Sequence, residues 1–224
     1  MTLYYKLLTY NVNWKNMKYK KKCVENINKL LIKYENKVDF LFIQEVANEN
    51  NLFKNFNLTK FNMIKHNSGP ETMISLINNK YKVINYYTGQ FISGRPFQII
   101  LLENNLCLIN VHFPHIKNIE SELIKISNYL DKLKVNLKKY RIIIAGDFNL
   151  DITKKIRFMN KILSVSENTY SCCIKNNNNL LIYNFDHILD SANKIYKTKL
   201  VYPQNNNKID EASDHLGLYC KLFI

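Results

Sequence analysis

Apolar positions along the chain follow two rhythms, and the points where one replaces the other mark out the elements. Three segments repeat at helical spacing. In "KYKKKCVENINKLLIKYENK" the residues Cys23, Ile27, Leu30, Leu31 and Tyr34 form one stripe, and in "ESELIKISNYLDKLKVNLKK" Leu123, Ile126, Leu130, Leu133 and Leu137 do the same. A third, shorter helix is predicted after Thr153, running through Ile156, Met159 and Leu163. Between these lie short runs rich in β-branched and aromatic residues, which predict strands over 3–10, 40–43, 73–77, 82–87, 97–102, 106–111, 142–145, 180–188 and 217–223. Asparagine-rich stretches at 176–179 and 203–208 read as loop tips between strands. Consecutive strands without an intervening helix alternate with strand–helix units, so an α/β fold of two mixed sheets flanked by helices is expected.

The apolar strands share a peculiarity at their ends. "RIIIAGDFNL" passes from four apolar residues into Gly146, Asp147 and Asn149, and residues two apart in an extended chain face the same side. The first strand ends in "TYNVNW" with Asn11, the next in "FLFIQEV" with Glu45, a later one in "CLINVHFPH" with His112, and the last begins in "ASDHLGL" with Asp214 and His215. A single polar residue at a strand end is an ordinary cap, but five ends of this kind in one chain form a set. Asn11, Glu45 and Asp214 supply hard oxygen ligands suited to Mg²⁺. His112, Asp147, Asn149 and His215 supply acid/base and hydrogen-bonding groups for a phosphate. Arg95, in "SGRPFQ", offers a planar fork that can clamp phosphate; steadying its own turn is the competing role.

Composition narrows the partner. Lys and Arg number 32 against 18 Asp and Glu, a formal charge of +14 that favours a polyanion, nucleic acid above all. With 224 residues and 46% hydrophobic content the chain is expected to be one domain, 1–224, acting as a monomer. The five cysteines lack metal-binding spacing and read as reduced thiols, and no apolar run approaches the roughly 18 residues of a membrane span. A soluble, unsecreted protein of the cytoplasm or nucleus, with no membrane partner, is therefore expected.

Taken in order, "TYNVNW", "FIQEV", "GRPFQ", "NVHFPH", "AGDFN", "FDHIL" and "SDHLGL" span nearly the whole chain. They resemble the motifs of the endonuclease/exonuclease/phosphatase family, which includes deoxyribonuclease I, exonuclease III-type abasic-site endonucleases and tyrosyl-DNA phosphodiesterases. The last two are the nearest in kind. The resemblance implies a deoxyribonuclease I-like four-layer sandwich, two packed mixed β-sheets flanked by helices, with the site at one edge. It implies that Glu45, assisted by Asn11 and Asp214, holds Mg²⁺, with Mn²⁺ able to substitute. Asp147 would activate the attacking water, Asn149 would orient water or phosphate, and His112 and His215 would hydrogen-bond the phosphoryl oxygens. Asp186 of "NFDHIL" would orient His215, while its neighbour His187, by strand alternation, points away and is structural. The implied activity is Mg²⁺-dependent hydrolysis of phosphodiesters in nucleic acid, DNA foremost, in endonuclease, exonuclease or end-processing mode such as 5′-tyrosyl-DNA cleavage. The alternatives are a phosphatase of small or lipid-linked phosphates and a non-catalytic nucleic-acid-binding module.

Overall fold

The computed structural model describes residues 3–47, 49–69, 71–115, 118–166, 170–175, 180–202 and 212–224, apart from the side chains of residues 50, 173–175 and 180–182. The two expected loop tips at 176–179 and 203–208 lie outside the described residues. The chain begins with β1 (Tyr4–Asn11), α1 (Trp14–Tyr19), α2 (Lys21–Tyr34), β2 (Phe40–Val46) and α3 (Glu49–Leu52). A run of strands follows: β3 (Phe61–Ser68), β4 (Glu71–Asn78), β5 (Val83–Gln90), β6 (Pro96–Leu102) and β7 (Leu106–His112). Next come α4 (Ile119–Lys132), β8 (Arg141–Asp147), β9 (Ile156–Phe158) and β10 (Lys161–Val165). The rest is β11 (Cys172–Lys175), β12 (Leu180–Tyr183), β13 (Asp186–Asp190), β14 (Ile195–Val201) and β15 (Gly217–Phe223).

The strands assemble into two large mixed sheets. One runs β14-β15-β1-β2-β4-β3, the other β5-β6-β7-β8-β13-β10-β9, and β11 and β12 pair separately. Alternation along each central strand divides its apolar residues between two cores. In β1, Tyr5 and Leu7 face the second sheet and meet Ile100, Leu108, Ile143 and Ile188, whereas Leu8 and Tyr10 face outward beneath Ile27, Leu30 and Leu31 of α2. In β8, Ile143 and Ala145 face inward while Ile142 and Ile144 pack under Leu123, Ile126 and Leu130 of α4. Helix, sheet, sheet and helix thus form the four layers. Burial on both faces explains why the central strands read as near-continuous apolar runs.

The third expected helix is not there. Residues 156–165 form the β9–β10 hairpin, in which Lys161 pairs Phe158 and Leu163 pairs Ile156. Met159 turns the chain with φ 52°, a conformation that ends any helix. The spacing of Ile156 and Leu163 fits a helical stripe, but Ile156 and Phe158 are buried on either side of an exposed Arg157, which is a strand period.

Between the sheets, beneath one rim, lies a chain of buried polar side chains. Gln44 Nε2 donates to Thr9 Oγ1 (3.0 Å) and Asn110 Oδ1 (2.7 Å), Asn110 Nδ2 donates to Ser75 Oγ (3.0 Å), and Ser75 Oγ donates to Gln98 Oε1 (2.6 Å). It links β1, β2 and β4 of one sheet to β6 and β7 of the other and fixes their alignment where the strand ends meet.

Gly146 is the local device that delivers Asp147 to that rim. Its φ is 147°, and a Cβ there would sit 1.9 Å from the Val111 carbonyl oxygen across the parallel β7–β8 pair. Gly146→Ala is expected to cost at least about 2 kcal/mol and so lower the Tm by roughly 4–8 °C, which thermal denaturation measures.

Candidate active site

The strand ends converge at one rim of the sandwich. His112 of β7, Asp147 of β8 and Asp186 of β13 are direct neighbours in register, so three polar side chains form one row across the second sheet. The first sheet brings Asn11 at the end of β1, Glu45 near the end of β2 and Glu71 at the start of β4, with Asp214 and His215 just before β15. Buried polar groups on this scale need partners, and they find them in each other.

Asn11 is the hub. Its Nδ2 donates to Glu45 Oε1 (3.0 Å) and Asp147 Oδ2 (2.8 Å), and its Oδ1 accepts the Asn13 N–H (3.0 Å). Asn13 Nδ2 donates to Asp214 Oδ1 (2.7 Å), which ties Asp214 into the same set. Asp147 Oδ1 accepts the Asn149 N–H (2.8 Å), and Asn149 Nδ2 donates to the Phe113 carbonyl (2.9 Å). Arg95 Nη1 donates to that same carbonyl (2.7 Å), so the half-buried guanidinium is anchored beside the cluster.

The backbone is bent to make this possible. Glu45 has φ 58°, at a shift in the β2–β4 register between Ile43 and Val46, and this bulge turns its carboxylate to the rim. Asn149 (φ 49°) and Asn13 (φ 53°) are also left-handed. Asparagine tolerates that region; glutamate does so at a cost of order 1–3 kcal/mol.

Two histidines flank Asp147 with opposite electrostatics. His215 Nδ1 lies 2.8 Å from Asp186 Oδ2, and its Nε2 is 3.7 Å from Asp147 Oδ2 and 3.2 Å from Cys172 Sγ. Burial alone would lower its pKa, but Asp186, Asp147 and Asp214 together outweigh burial and raise it to about 10. His215 is therefore an imidazolium at neutral pH, with both ring N–H groups able to donate. His112 is the reverse: burial, with a smaller push from Arg95, lowers it to about 4 against the pull of Asp147 and Glu45. Its Nδ1 lies 3.0 Å from Glu71 Oε2, and its Nε2 lies 3.4 Å from Glu45 and 3.6 Å from Asp147. Burial, reinforced by Asp147 and opposed by Arg95, raises Glu71 to about 7. A neutral His112 carries one ring proton, and the hydrogen bond between Nδ1 and Glu71 decides which nitrogen holds it.

All nine side chains singled out from the sequence thus lie in or beside one cluster. His187 is buried on the other side, with Nε2 3.0 Å from the Leu150 carbonyl and its ring edge-on to Phe148. Sequence reasoning missed Glu71 and Asn13. Glu71 opens a strand within "GPETM", where a polar residue reads as a turn, and only alternation with the buried Met73 and Ser75 could have drawn attention to it. Cys172 departs from the expected reduced state: it is disulfide-bonded, with a partner outside the described side chains. Among the described cysteines, Cys23, Cys107 and Cys220 form no disulfide.

The carboxylates also define a cation-sized space. Glu45, Glu71 and His112 each offer one ligand atom, all within 4.8 Å of one another. His112 Nε2 is buried there without a hydrogen-bond partner. Glu45 belongs both to this group and to the oxygen set Asn11, Glu45 and Asp214.

No protein-family model matches the chain. Uncharacterized protein L684 of Acanthamoeba polyphaga mimivirus is 31% identical over 226 residues, covering 88% of this chain but only 42% of that protein, so the chain spans less than half the length of this relative. Among solved structures, truncated TDP2 of Caenorhabditis elegans is similar at TM-score 0.72 and 16% identity, over 99% of this chain and 98% of the other. TDP2 of D. rerio, complexed with single-strand DNA product, is similar at TM-score 0.68 and 17% identity, over 99% of both chains. An endonuclease/exonuclease/phosphatase family protein of Bacteroides thetaiotaomicron follows at TM-score 0.67 and 11% identity, over 99% and 98%. Two packed mixed sheets with helices outside and the expected motifs at their shared rim agree with these likenesses: the chain has the deoxyribonuclease I-like fold of the endonuclease/exonuclease/phosphatase family.

Proposed function

We propose that the protein is a divalent-cation-dependent phosphodiesterase that hydrolyses nucleic acid, with DNA as its principal substrate. The observation that carries this reading is the Asp147 carboxylate, which faces a His215 held charged at neutral pH and is aligned by Asn11 and Asn149 at the shared rim of the two sheets. A carboxylate so held can take a proton from an attacking water. The imidazolium beside it can donate to a phosphoryl oxygen as charge develops, and Arg95 adds a second cation. Asp186 acts through His215, holding its ring and its charge.

The donor set fits a hard divalent cation. It consists of carboxylates and an amide, and the orphaned nitrogen of His112 lies among them. Glu45, with Asn11 and Asp214, would hold Mg²⁺, and Mn²⁺ would substitute; Glu71 and His112 border the same space. When bound, the ion supplies Lewis-acid stabilisation of the phosphate. Support for DNA comes from the +14 charge and from the fold neighbour crystallised with single-strand DNA product.

The test is a panel of labelled duplex, single-stranded, abasic and 5′-tyrosyl DNA, RNA and free phosphomonoesters, each with Mg²⁺ and with excess chelator. Cleavage of at least one DNA that requires the cation is expected, and Glu45→Gln is expected to weaken the cation dependence more than any other single change. Hydrolysis of phosphomonoesters alone would establish a small-phosphate phosphatase instead, and full activity in chelator would remove the metal assignment.

A further inference from the structure

At the end of the first sheet opposite the active site, three lysines stand in one row. Lys6 of β1 is the register partner of Lys221 of β15, and Lys221 is the partner of Lys197 of β14. All three face outward. Lys6 shares the alternation of Leu8 and Tyr10, and Lys221 that of Tyr219, on the side covered further along by α2. Like charges directly opposite across a sheet destabilise it, and here two such pairs adjoin. Among the described residues no ion pair joins any of the three to a carboxylate. Two carboxylates bordering this end are already engaged: Asp39 is buried and takes the Lys6 N–H and Lys80, and Glu35 takes Lys60.

The next row is aromatic. Tyr4 is the register partner of Phe223, and Tyr196 closes the group, with centroids 5.1 Å from Tyr4 and 4.8 Å from Phe223. Tyr196 is 53% exposed although it is a large ring on a sheet surface. On the other side of the lysine row, Lys199 lies over the rings of Tyr219 (5.1 Å) and Tyr34 (5.8 Å).

We propose that this face of the first sheet is a second nucleic-acid-binding surface, which holds a single strand with the Lys6–Lys221–Lys197 row on its phosphates and Tyr196 under a base. Lysines without a carboxylate partner among the described residues call for a polyanion, and the exposed ring of Tyr196 beside them calls for one with π-faces. Among the described residues, the Tyr4 ring, 5.6 Å from Lys221 Nζ, is what the sheet sets against the repulsion between the lysines. Tyr4 and Asn11 stand seven residues apart on β1, about 23 Å at ~3.3 Å per residue. The surface therefore lies well away from the catalytic rim and would retain a strand by a segment other than the one being cut. The choice of a nucleic acid rests on the function proposed above; the existence of an anion-binding face does not.

Fluorescence anisotropy of a labelled single strand of about 30 nucleotides, longer than one site of roughly 4–16 nucleotides, tests this on the whole chain in excess chelator. Lys197→Glu/Lys221→Glu is expected to weaken binding at least about tenfold, and to flatten the log–log salt slope by about 1.4. Tyr196→Ala is expected to weaken it roughly five- to hundredfold. The Tm of Lys221→Glu should equal or exceed that of the wild type, which separates lost binding from lost folding, and hydrolysis of bis(p-nitrophenyl) phosphate by the double variant should be unchanged. Unaltered oligonucleotide affinity and salt slope in the double variant would overturn the proposal. So would loss of binding to phosphatidylserine vesicles alone, which would make the face a membrane contact. If the wild type cleaves no nucleic acid while the double variant still loses the strand, the surface stands and the proposed function falls. If the wild type cleaves DNA and the variant binds like it, only the surface falls.

Discussion

Asp147→Asn is expected to lower the turnover of a DNA substrate by about 10²–10⁴-fold while the substrate is still bound. Both carboxylate oxygens are committed, Oδ1 to the Asn149 N–H and Oδ2 to the Asn11 amide, each at 2.8 Å. An asparagine has one acceptor to offer where two are used. Its NH₂ group must face one of those donors, so water alignment is lost along with the base, and loss of alignment adds to the effect. A broken buried hydrogen bond costs about 1–3 kcal/mol, offset in part because the variant removes one charge from a crowd of carboxylates. The fold should therefore persist with a modestly lower Tm. Single-turnover kinetics at saturating cation separates chemistry from binding. A variant within about threefold of the wild-type rate would mean that Asp147 is not the base.

His215→Ala is expected to have an effect of comparable size, and its pairing with Asp186 gives that loss a distinctive form. Asp186 is the principal charge raising His215 to about 10 against the desolvation that lowers it. Activity that needs the imidazolium is retained below that value and lost as pH rises through it. Asp186→Asn keeps a hydrogen-bonding shape without the charge, so the alkaline limb of the kcat/KM profile should move to lower pH and turnover should fall, by less than in His215→Ala. The double variant should be little worse than His215→Ala alone, because the two residues act as a unit. Losses that multiply would show that they act independently. The same shift bears on stability. A histidine raised above its unfolded value of about 6.5 contributes stability that is fully present below that pH and lost as pH climbs through about 10.

The parts of the fold that could be read from the sequence are those where burial on both faces left little choice of residue. β1, β2, β6, β7, β8 and β15 all announce themselves as apolar runs, and each was placed within a few residues. Two edge strands escaped because packing does not dictate their pattern, although β5, also at an edge, is legible at 82–87. β3, "FNMIKHNS", buries only three of its eight residues, and β14, "IYKTKLV", only Val201. The β9–β10 hairpin was taken for a helix because three apolar residues at spacings of three and four fit either period until a turn is known. At the site, the strand-end groups were visible because each interrupts an apolar run. Glu71 was not, since its preceding segment "NSGP" is polar already and a carboxylate there looks like the end of a turn. Pairings such as Asp186 with His215, separated by 29 positions, came from motif order and have no local signature.

The left-handed backbone at Glu45 sets the interests of folding against those of chemistry at a single position. Glycine would adopt φ 58° without steric penalty and would also take one carboxylate out of a crowded cluster. A library of this protein selected for heat resistance alone would accordingly drift toward small residues at position 45, and its most robust members would be the ones least able to hold a cation. Under the proposed function, heat resistance and cation binding would thus be selected in opposite directions at this one position.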